Sequence, residues 1–139
     1  MIILDTNVVS ELMKAAPFEG VVRWVAGQPA SGLYITSIAQ AEILHGILLL
    51  PAGRRRSSIQ VAAESMFAVE FNGRVLPFDS TAARAYAKIA ADRRRAGRPI
   101  SQFDAQIAAI ALVARAALAT RNVDDFEECG VKVVNPWER

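Results

Sequence analysis

The chain begins with a short apolar run that ends at a carboxylate. Met1 to Leu4 are all apolar, Asp5 follows directly, and Thr6 and Asn7 come next. An uninterrupted apolar run is typical of a strand covered on both faces, which occurs almost only in parallel sheets flanked by helices. Thr6 and Asn7 are good N-cap residues, so they predict a helix that starts just after them. The segment therefore predicts an α/β fold with a carboxylate at the edge of the sheet where such folds bind ligands.

Strand and helix patterns alternate along the rest of the chain. Further strands are predicted at residues 33–35, 75–78, 117–120 and 131–134, with a single helical turn over 123–128. Helical patterns cover Phe18–Ala26, Ile38–Leu50 with Ser37 as its cap, Arg54–Phe71, Ala82–Arg95 and Ser101–Ala116. Short strands separated by helices pair in parallel through right-handed crossovers. We therefore expect a three-layer α/β/α sandwich around a central parallel sheet of about five strands.

Composition narrows the class of protein. A chain of 139 residues with 53% hydrophobic residues fits one globular domain, residues 1–139, and excludes a disordered segment. The net charge of +2 permits an anionic partner without requiring one. The single cysteine, Cys129, excludes an internal disulfide. We expect a small buried or half-buried residue and not a nucleophile, because the only histidine is His45 and no charged relay accompanies it. With no signal-like leader and no apolar stretch of membrane-spanning length, we expect a soluble cytoplasmic protein.

Acidic and amide side chains recur where predicted strands end or predicted helices begin. They are Asp5 after the first strand, Glu42 on the helix after the second, Asp104 in the first turn of the helix before the fourth, and Asn122, Asp124 and Asp125 after the fourth. These side chains could converge at one edge of the sheet, although Asp5 could instead serve only as a helix cap. Oxygen-only ligands suit Mg²⁺ or Mn²⁺, and a cation would relieve the repulsion between gathered carboxylates. The pattern therefore predicts a divalent metal site.

Four segments carry a pattern that extends over the whole chain. They are Ile3–Glu11, Thr36–Gly46, Phe103–Ala109, and Ala119–Asn122 together with Asn135–Trp137. In this order they resemble PIN-domain ribonucleases, and more narrowly the VapC toxins with their FitB-like branch. Each segment is weakly specific alone, but the four together make the resemblance strong.

The resemblance implies a PIN-like fold and a Mg²⁺- or Mn²⁺-dependent endoribonuclease, the toxin of a bacterial type II toxin–antitoxin pair. Such an enzyme hydrolyses RNA phosphodiesters with metal-activated water. The resemblance also implies a homodimer, and a cognate antitoxin of the VapB or FitA type whose tail occupies the active site. Operator DNA would be bound only through that antitoxin.

The resemblance assigns roles to individual residues. Asp5, Glu42 and Asp104 match the catalytic and metal-binding acids of the family. Thr6, Asn7 and Thr120 match its supporting polar residues. We expect Asp5 and Asp104 to hold the main ion, with Glu42 completing the shell directly or through water.

The fourth acidic position departs from the family pattern. Asn122 stands where many relatives have aspartate, and Asp124 is the candidate substitute. An amide oxygen can bind a hard ion but brings no negative charge. This neutral residue keeps open a weakly active or inactive module that acts mainly with its antitoxin in transcriptional autoregulation. A phosphatase of the haloacid dehalogenase type is a third alternative, but it requires a second aspartate where this chain has Asn7.

Two arginine clusters are candidate RNA contacts. They are Arg54, Arg55 and Arg56, and Arg93, Arg94 and Arg95. Cations of this kind can guide RNA phosphates toward an active site. The alternative is that they are solvated helix ends, since the second cluster closes a predicted helix and favours its dipole.

Overall fold

The computed structural model describes residues 1–138 and contains a parallel sheet of five strands between two layers of helices. The strands are β1 (Ile2–Leu4), β2 (Leu33–Thr36), β3 (Val75–Leu76), β4 (Ala117–Ala119) and β5 (Val133–Val134). The α-helices are α1 (Thr6–Leu12), α2 (Glu19–Ala26), α3 (Ser37–Leu48), α4 (Arg54–Ser65), α5 (Ser80–Arg95) and α6 (Gln102–Ala114). The predicted three-layer sandwich with a five-stranded parallel sheet is confirmed.

The central strand explains why the chain opens on an uninterrupted apolar run. Ile3 and Leu4 are both fully buried, but they face opposite sides of the sheet because side chains alternate along a strand. Ile3 joins Leu118 in the core beneath α5 and α6. Leu4 joins Ala119 in the core beneath α1 to α4. A strand with both faces covered has no place for a polar residue until it ends.

The strand order places the end of β1 at the point where the chain reverses its direction across the sheet. The order is β3-β2-β1-β4-β5, so the first three strands are added toward one edge and the last two toward the other. β1 pairs in parallel with both β2 and β4. The crevice beyond the carboxyl ends of β1 and β4 is therefore the place where open α/β sheets bind ligands.

Two helix starts differ from the prediction. Asp5 itself caps α1, since its Oδ1 accepts a hydrogen bond from the Thr6 backbone N–H at 2.8 Å. Thr36 caps α3 through its Oγ1, which accepts from the Ala39 N–H at 3.0 Å, so the expectation for Ser37 is wrong. In both places the strand passes directly into the helix, and the residue that ends or follows the strand becomes the cap. A third difference is that the helix predicted to reach residue 71 becomes a π-helix over Met66–Glu70.

Arg93 is buried, which corrects its grouping with the exposed arginines that follow it. Its Nε donates to the carbonyl of Arg98 at 2.7 Å, and its Nη1 donates to the carbonyls of Asp125 and Glu127 at 2.9 and 3.0 Å. Arg93 lies one helical turn after buried Ile89, so it shares the inward face of α5. Its guanidinium therefore fastens the loop after β4 to the end of α5 and does not face solvent.

None of the helices within residues 1–138 combines the length and the apolar character that a membrane span requires.

Candidate active site

Asp5 is a buried carboxylate at the centre of the sheet edge. The strand pairing continues to its backbone, where the Asp5 N–H donates to the Ala119 carbonyl at 2.9 Å. One side-chain oxygen caps α1, and the other accepts a hydrogen bond from the Thr120 hydroxyl at 2.7 Å. Only 4% of the residue is exposed. The two alternatives for this residue are thus compatible, because one oxygen caps the helix while the carboxylate also faces the crevice between β1 and β4.

Thr120 organises the polar residues around Asp5. Its Oγ1 accepts hydrogen bonds from the Asn7 Nδ2 at 3.2 Å and from the Asn122 backbone N–H at 3.1 Å. Because both of those partners are donors, the single hydroxyl proton is directed to Asp5. Thr120 is fully buried, so its hydrogen bond to Asp5 is shielded from water.

Glu42 reaches the same edge from α3. The Thr6 hydroxyl donates to Glu42 Oε1 at 2.8 Å, which joins the first turn of α1 to the second turn of α3. Glu42 is half-buried, and its carboxylate lines the crevice. Thr6 therefore supports two acids at once, through its backbone N–H to Asp5 and through its hydroxyl to Glu42.

Asp104 approaches from the opposite layer, in the first turn of α6. Ser101 caps this helix, with its Oγ accepting from the Asp104 N–H at 3.2 Å. Burial raises the pKa of Asp104, and the charge of Asp125 adds to that effect, while hydrogen bonding with Ser101 and the charge of Arg93 oppose it. The helix start thus holds a carboxylate that is partly withdrawn from water.

The acids meet in one pocket of about 430 Å³. It is lined by Asp5, Thr6, Asn7, Ser10, Glu11, Lys14, Glu42, Asp104, Arg121, Asn122 and Trp137. The structure therefore brings together the three predicted catalytic acids, two of the predicted supporting residues and Asn122, with Thr120 immediately behind them. Asp124 is not among them and lines an adjoining depression of about 320 Å³. The predicted RNA-contacting arginines at 54–56 and 93–95 do not line the pocket either.

The burial and like charges of these acids suit the pocket to a cation. The pKa of Asp5 is raised to about 6, chiefly by burial and also by the charges of Asp104 and Glu42, against hydrogen bonds from Thr120 and Thr6 that lower it. Three carboxylates and the amide of Asn122 form a set of hard oxygen donors, which fits Mg²⁺ or Mn²⁺ in kind. Within residues 1–138, no three His, Cys, Asp or Glu side chains form a ready-made metal-binding group. The acids thus line one pocket, but they are not close enough together to form a complete ligand set for an ion.

The resemblance assigned no role to four charged or aromatic residues of the pocket, Glu11, Lys14, Arg121 and Trp137. Glu11 is buried, and its carboxylate accepts hydrogen bonds from Lys14 Nζ and from the Phe18 N–H, both at 2.9 Å. The hydrogen bond from Lys14 is the main reason that the pKa of Glu11 is lowered. Its position four residues after Asn7 on α1 was a usable signal, since that spacing shares a helix face.

Arg121 and Trp137 are the other two pocket residues to which the resemblance assigned no role. The Arg121 guanidinium lies over the Trp137 ring, 5.2 Å from its centroid. Trp137 follows β5, which pairs with β4, so the residues after both strands reach the same edge of the sheet. The order of the predicted strands was therefore the signal that could have linked them.

Known proteins resemble this chain over nearly its whole length. The PIN domain family model matches residues 2–132. The chain is 42% identical over 138 residues to VapC ribonuclease Y4jK of Sinorhizobium fredii, covering 99% of both chains. It is 36% identical over 137 residues to toxin FitB of Neisseria gonorrhoeae, again covering 99% of both. The solved structure of FitAB bound to an IR36 DNA fragment matches with a TM-score of 0.94 at 36% identity, over 100% of this chain and 97% of that chain.

Proposed function

Because this chain belongs to the PIN-domain family and is a homologue of the VapC and FitB toxins, we propose that it is a metal-dependent endoribonuclease toxin of a type II toxin–antitoxin pair. The observation that carries this proposal is the pocket in which Asp5, Glu42 and Asp104 meet beyond the carboxyl end of β1. Its relative Y4jK is named a ribonuclease, which supports RNA as the substrate.

The proposed ion ligands are the carboxylates of Asp5, Asp104 and Glu42 together with the amide oxygen of Asn122. Mg²⁺ or Mn²⁺ fits these oxygen donors best. A divalent ion would supply positive charge that acidifies a water molecule and stabilises the charge developing on the phosphodiester. We leave Asp124 outside this set because it lines the adjoining depression.

The chain's own contribution is to hold the acids in position. Thr120 and the Thr6 N–H each occupy one oxygen of Asp5, while the Thr6 hydroxyl occupies one oxygen of Glu42. Hydrogen bonds of this kind orient metal ligands and limit their reorganisation during the reaction. Water is the proposed nucleophile, since Cys129 is buried and burial raises the pKa of its thiol.

We further propose that a cognate antitoxin of the VapB or FitA type covers the pocket, that operator DNA is bound through it, and that the toxin forms a homodimer in the cytoplasm. Support comes from the similar FitAB, which was solved bound to a DNA fragment. The acidic pocket is open at the surface, so it offers an inhibitor direct access to the catalytic acids.

The test is cleavage of a mixed RNA pool by antitoxin-free protein in Mg²⁺ or Mn²⁺, compared with EDTA. Asp5→Asn should lower the rate by more than about 100-fold, since even the outer-shell partners of metal ligands contribute about 10- to 100-fold. The matched control is Glu64→Gln, which neutralises an exposed acid of α4 outside the pocket. Asn122→Ala should lower activity more than Asp124→Asn.

The second candidate function is the regulatory module, and the neutral Asn122 in the pocket is the observation that favours it. Folded wild-type protein that cleaves no RNA in any divalent metal, yet binds operator DNA with its antitoxin, would establish that function instead. Activity that survives both EDTA and Asp5→Asn would contradict the carboxylate mechanism.

A further inference from the structure

Arg121 stands at the edge of the acidic pocket in a position to hold RNA. We propose that its guanidinium binds a phosphate of single-stranded RNA beside the carboxylates, and that Trp137 positions Arg121 for this contact. The proposal deepens the ribonuclease function and rests on it. Both residues lie in the matched segments, but the resemblance assigned neither of them a role, and neither belongs to the expected RNA-contacting clusters.

The charges of the pocket single out Arg121. Four carboxylates and two cations line it, so its interior repels a phosphodiester wherever no cation intervenes. Lys14 is paired with Glu11 at 2.9 Å and adds little net attraction. Within residues 1–138, Arg121 has no carboxylate within ion-pair distance. An incoming phosphate therefore finds its available positive partner at Arg121.

The backbone of Arg121 is anchored to the catalytic network. Arg121 directly follows Thr120, whose hydroxyl binds Asp5, and its own N–H donates to Asn7 Oδ1 at 3.4 Å. The backbone of Arg121 is thus linked to Asp5 through Thr120 and to Asn7 through its own N–H. A side chain that starts from this point stays within reach of a substrate bound at Asp5.

Trp137 restricts the guanidinium itself. The indole is half-buried and packs against the core, and its N–H backbone group donates to Asn135 Oδ1 at 2.9 Å. The ring then offers a fixed surface for the Arg121 guanidinium, 5.2 Å from the centroid. A long side chain ordered before binding loses less entropy when it contacts a phosphate.

The shape of this edge favours an unpaired strand. Asp5 is only 4% exposed, so a phosphodiester must enter the pocket to approach it. Arg121 and Asn122 line both this pocket and the adjoining depression. An RNA strand that passes from one to the other would therefore run beside Arg121. A guanidinium can bind phosphate through its fork of donors and can stack on a splayed base through its face. A duplex offers neither an unstacked base nor a backbone narrow enough to enter.

The kinetic test uses full-length protein and a single-stranded RNA that the wild type cleaves. Arg121→Gln should raise KM roughly tenfold or more, as expected for loss of a charge-assisted hydrogen bond, with little change in kcat. Arg121→Lys should recover part of the loss. The control is Arg84→Gln, which removes an exposed arginine of α5 outside the pocket.

The salt test separates a phosphate contact from a structural effect. The affinity for a dye-labelled single strand is measured at several salt concentrations in the Asp5→Asn background, in which we expect the RNA to stay uncut. Arg121→Gln should reduce the slope of log K against log salt by about 0.7, the contribution of one phosphate in a single strand. Arg121→Lys should keep the slope.

A double-mutant cycle tests the role of Trp137. Trp137→Leu should raise KM several-fold with an unchanged salt slope, because the charge remains. Combined with Arg121→Gln it should add no further loss, since Trp137 acts through the guanidinium. Additive effects would show instead that Trp137 contacts RNA, or affects the stability of the protein, independently of Arg121.

Failure of the Arg121–phosphate contact can be distinguished from failure of the proposed ribonuclease function. If wild-type protein cleaves RNA but Arg121→Gln changes neither KM nor the salt slope, the inference is overturned and the ribonuclease proposal stands. If the wild type cleaves nothing, the salt slope in the Asp5→Asn background still decides for or against the phosphate contact. Weakened antitoxin binding with unchanged RNA affinity would assign Arg121 to the protein partner and overturn the proposal.

Discussion

Replacing Asp5 by asparagine should stabilise the metal-free protein while abolishing its activity. The raised pKa of Asp5, about 6 against an ordinary value of 3.8, means that folding disfavours its charged form. A difference of roughly two pH units, at about 1.4 kcal/mol for each, corresponds to about 3 kcal/mol. Asparagine keeps a capping oxygen for the Thr6 N–H but loses one acceptor, the one that Thr120 uses, which costs about 1 kcal/mol. The expected net gain above pH 7 is therefore about 2 kcal/mol.

The size of the stabilisation by Asp5→Asn depends on pH. Between about pH 4 and pH 6 the native state of the wild type holds a proton on Asp5 that the unfolded chain has released. The free energy of unfolding of the wild type therefore falls as pH rises through this window. Below it, Asp5 is neutral in both states and the advantage of Asp5→Asn should disappear. Above it, the advantage should be complete.

The assay is thermal unfolding in EDTA at pH 4, 5, 6 and 8, with Glu64→Gln as the control for loss of one exposed carboxylate. At pH 8 the melting temperature of Asp5→Asn should exceed that of the wild type by on the order of 5 °C. Saturating Mn²⁺ should reverse the order, because only the wild type gains stability from the ion. A variant that is less stable than the wild type at pH 8 in EDTA would refute the claim that Asp5 is held at an electrostatic cost.

Three further substitutions test other parts of the account. Thr120→Val should destabilise the protein by roughly 1–3 kcal/mol in urea unfolding and lower RNA cleavage, because it removes the donor to Asp5 and the acceptor of the Asn7 amide and the Asn122 N–H; Thr120→Ser should restore both. Arg93→Met should lower the free energy of unfolding by roughly 2–4 kcal/mol through loss of its buried carbonyl contacts, whereas exposed Arg94→Met should change it by less than about 0.5 kcal/mol. Asn122→Asp should lower the Mn²⁺ concentration at half-maximal cleavage, and an unchanged value would place this residue outside the ion's coordination shell.

The sheet and most of the pocket could be predicted because they follow from local pattern. A buried parallel strand must end before a polar residue can appear, so Asp5 and Thr120 mark the ends of β1 and β4 directly. Parallel pairing then brings those ends to one edge, and the helices that start at Ser37 and Gln102 carry Glu42 and Asp104 to it. No knowledge of side-chain contacts was needed for that inference.

The parts that could not be predicted depend on contacts between distant segments. In the sequence, Arg93 belongs to a run of basic residues that predicts an exposed side chain. Only the folded loop at residues 125–129 supplies the carbonyls that make its burial favourable. Arg121 and Trp137 meet because β5 lies beside β4, a pairing that spacing suggests but does not orient. The choice between Asn122 and Asp124 likewise depends on the short 3₁₀ turn at Val123–Phe126, which leaves Asp124 in the adjoining depression.

The central claim is that the acids around Asp5 bind a divalent ion and cleave RNA with it. The most direct test titrates Mn²⁺ into antitoxin-free protein, counting bound ions by electron paramagnetic resonance while RNA cleavage is followed in the same samples. We predict that the cleavage rate rises with Mn²⁺ occupancy and that Asp5→Asn loses both together. Cleavage that is independent of Mn²⁺ occupancy, or Mn²⁺ binding that is unchanged in Asp5→Asn, would contradict the account.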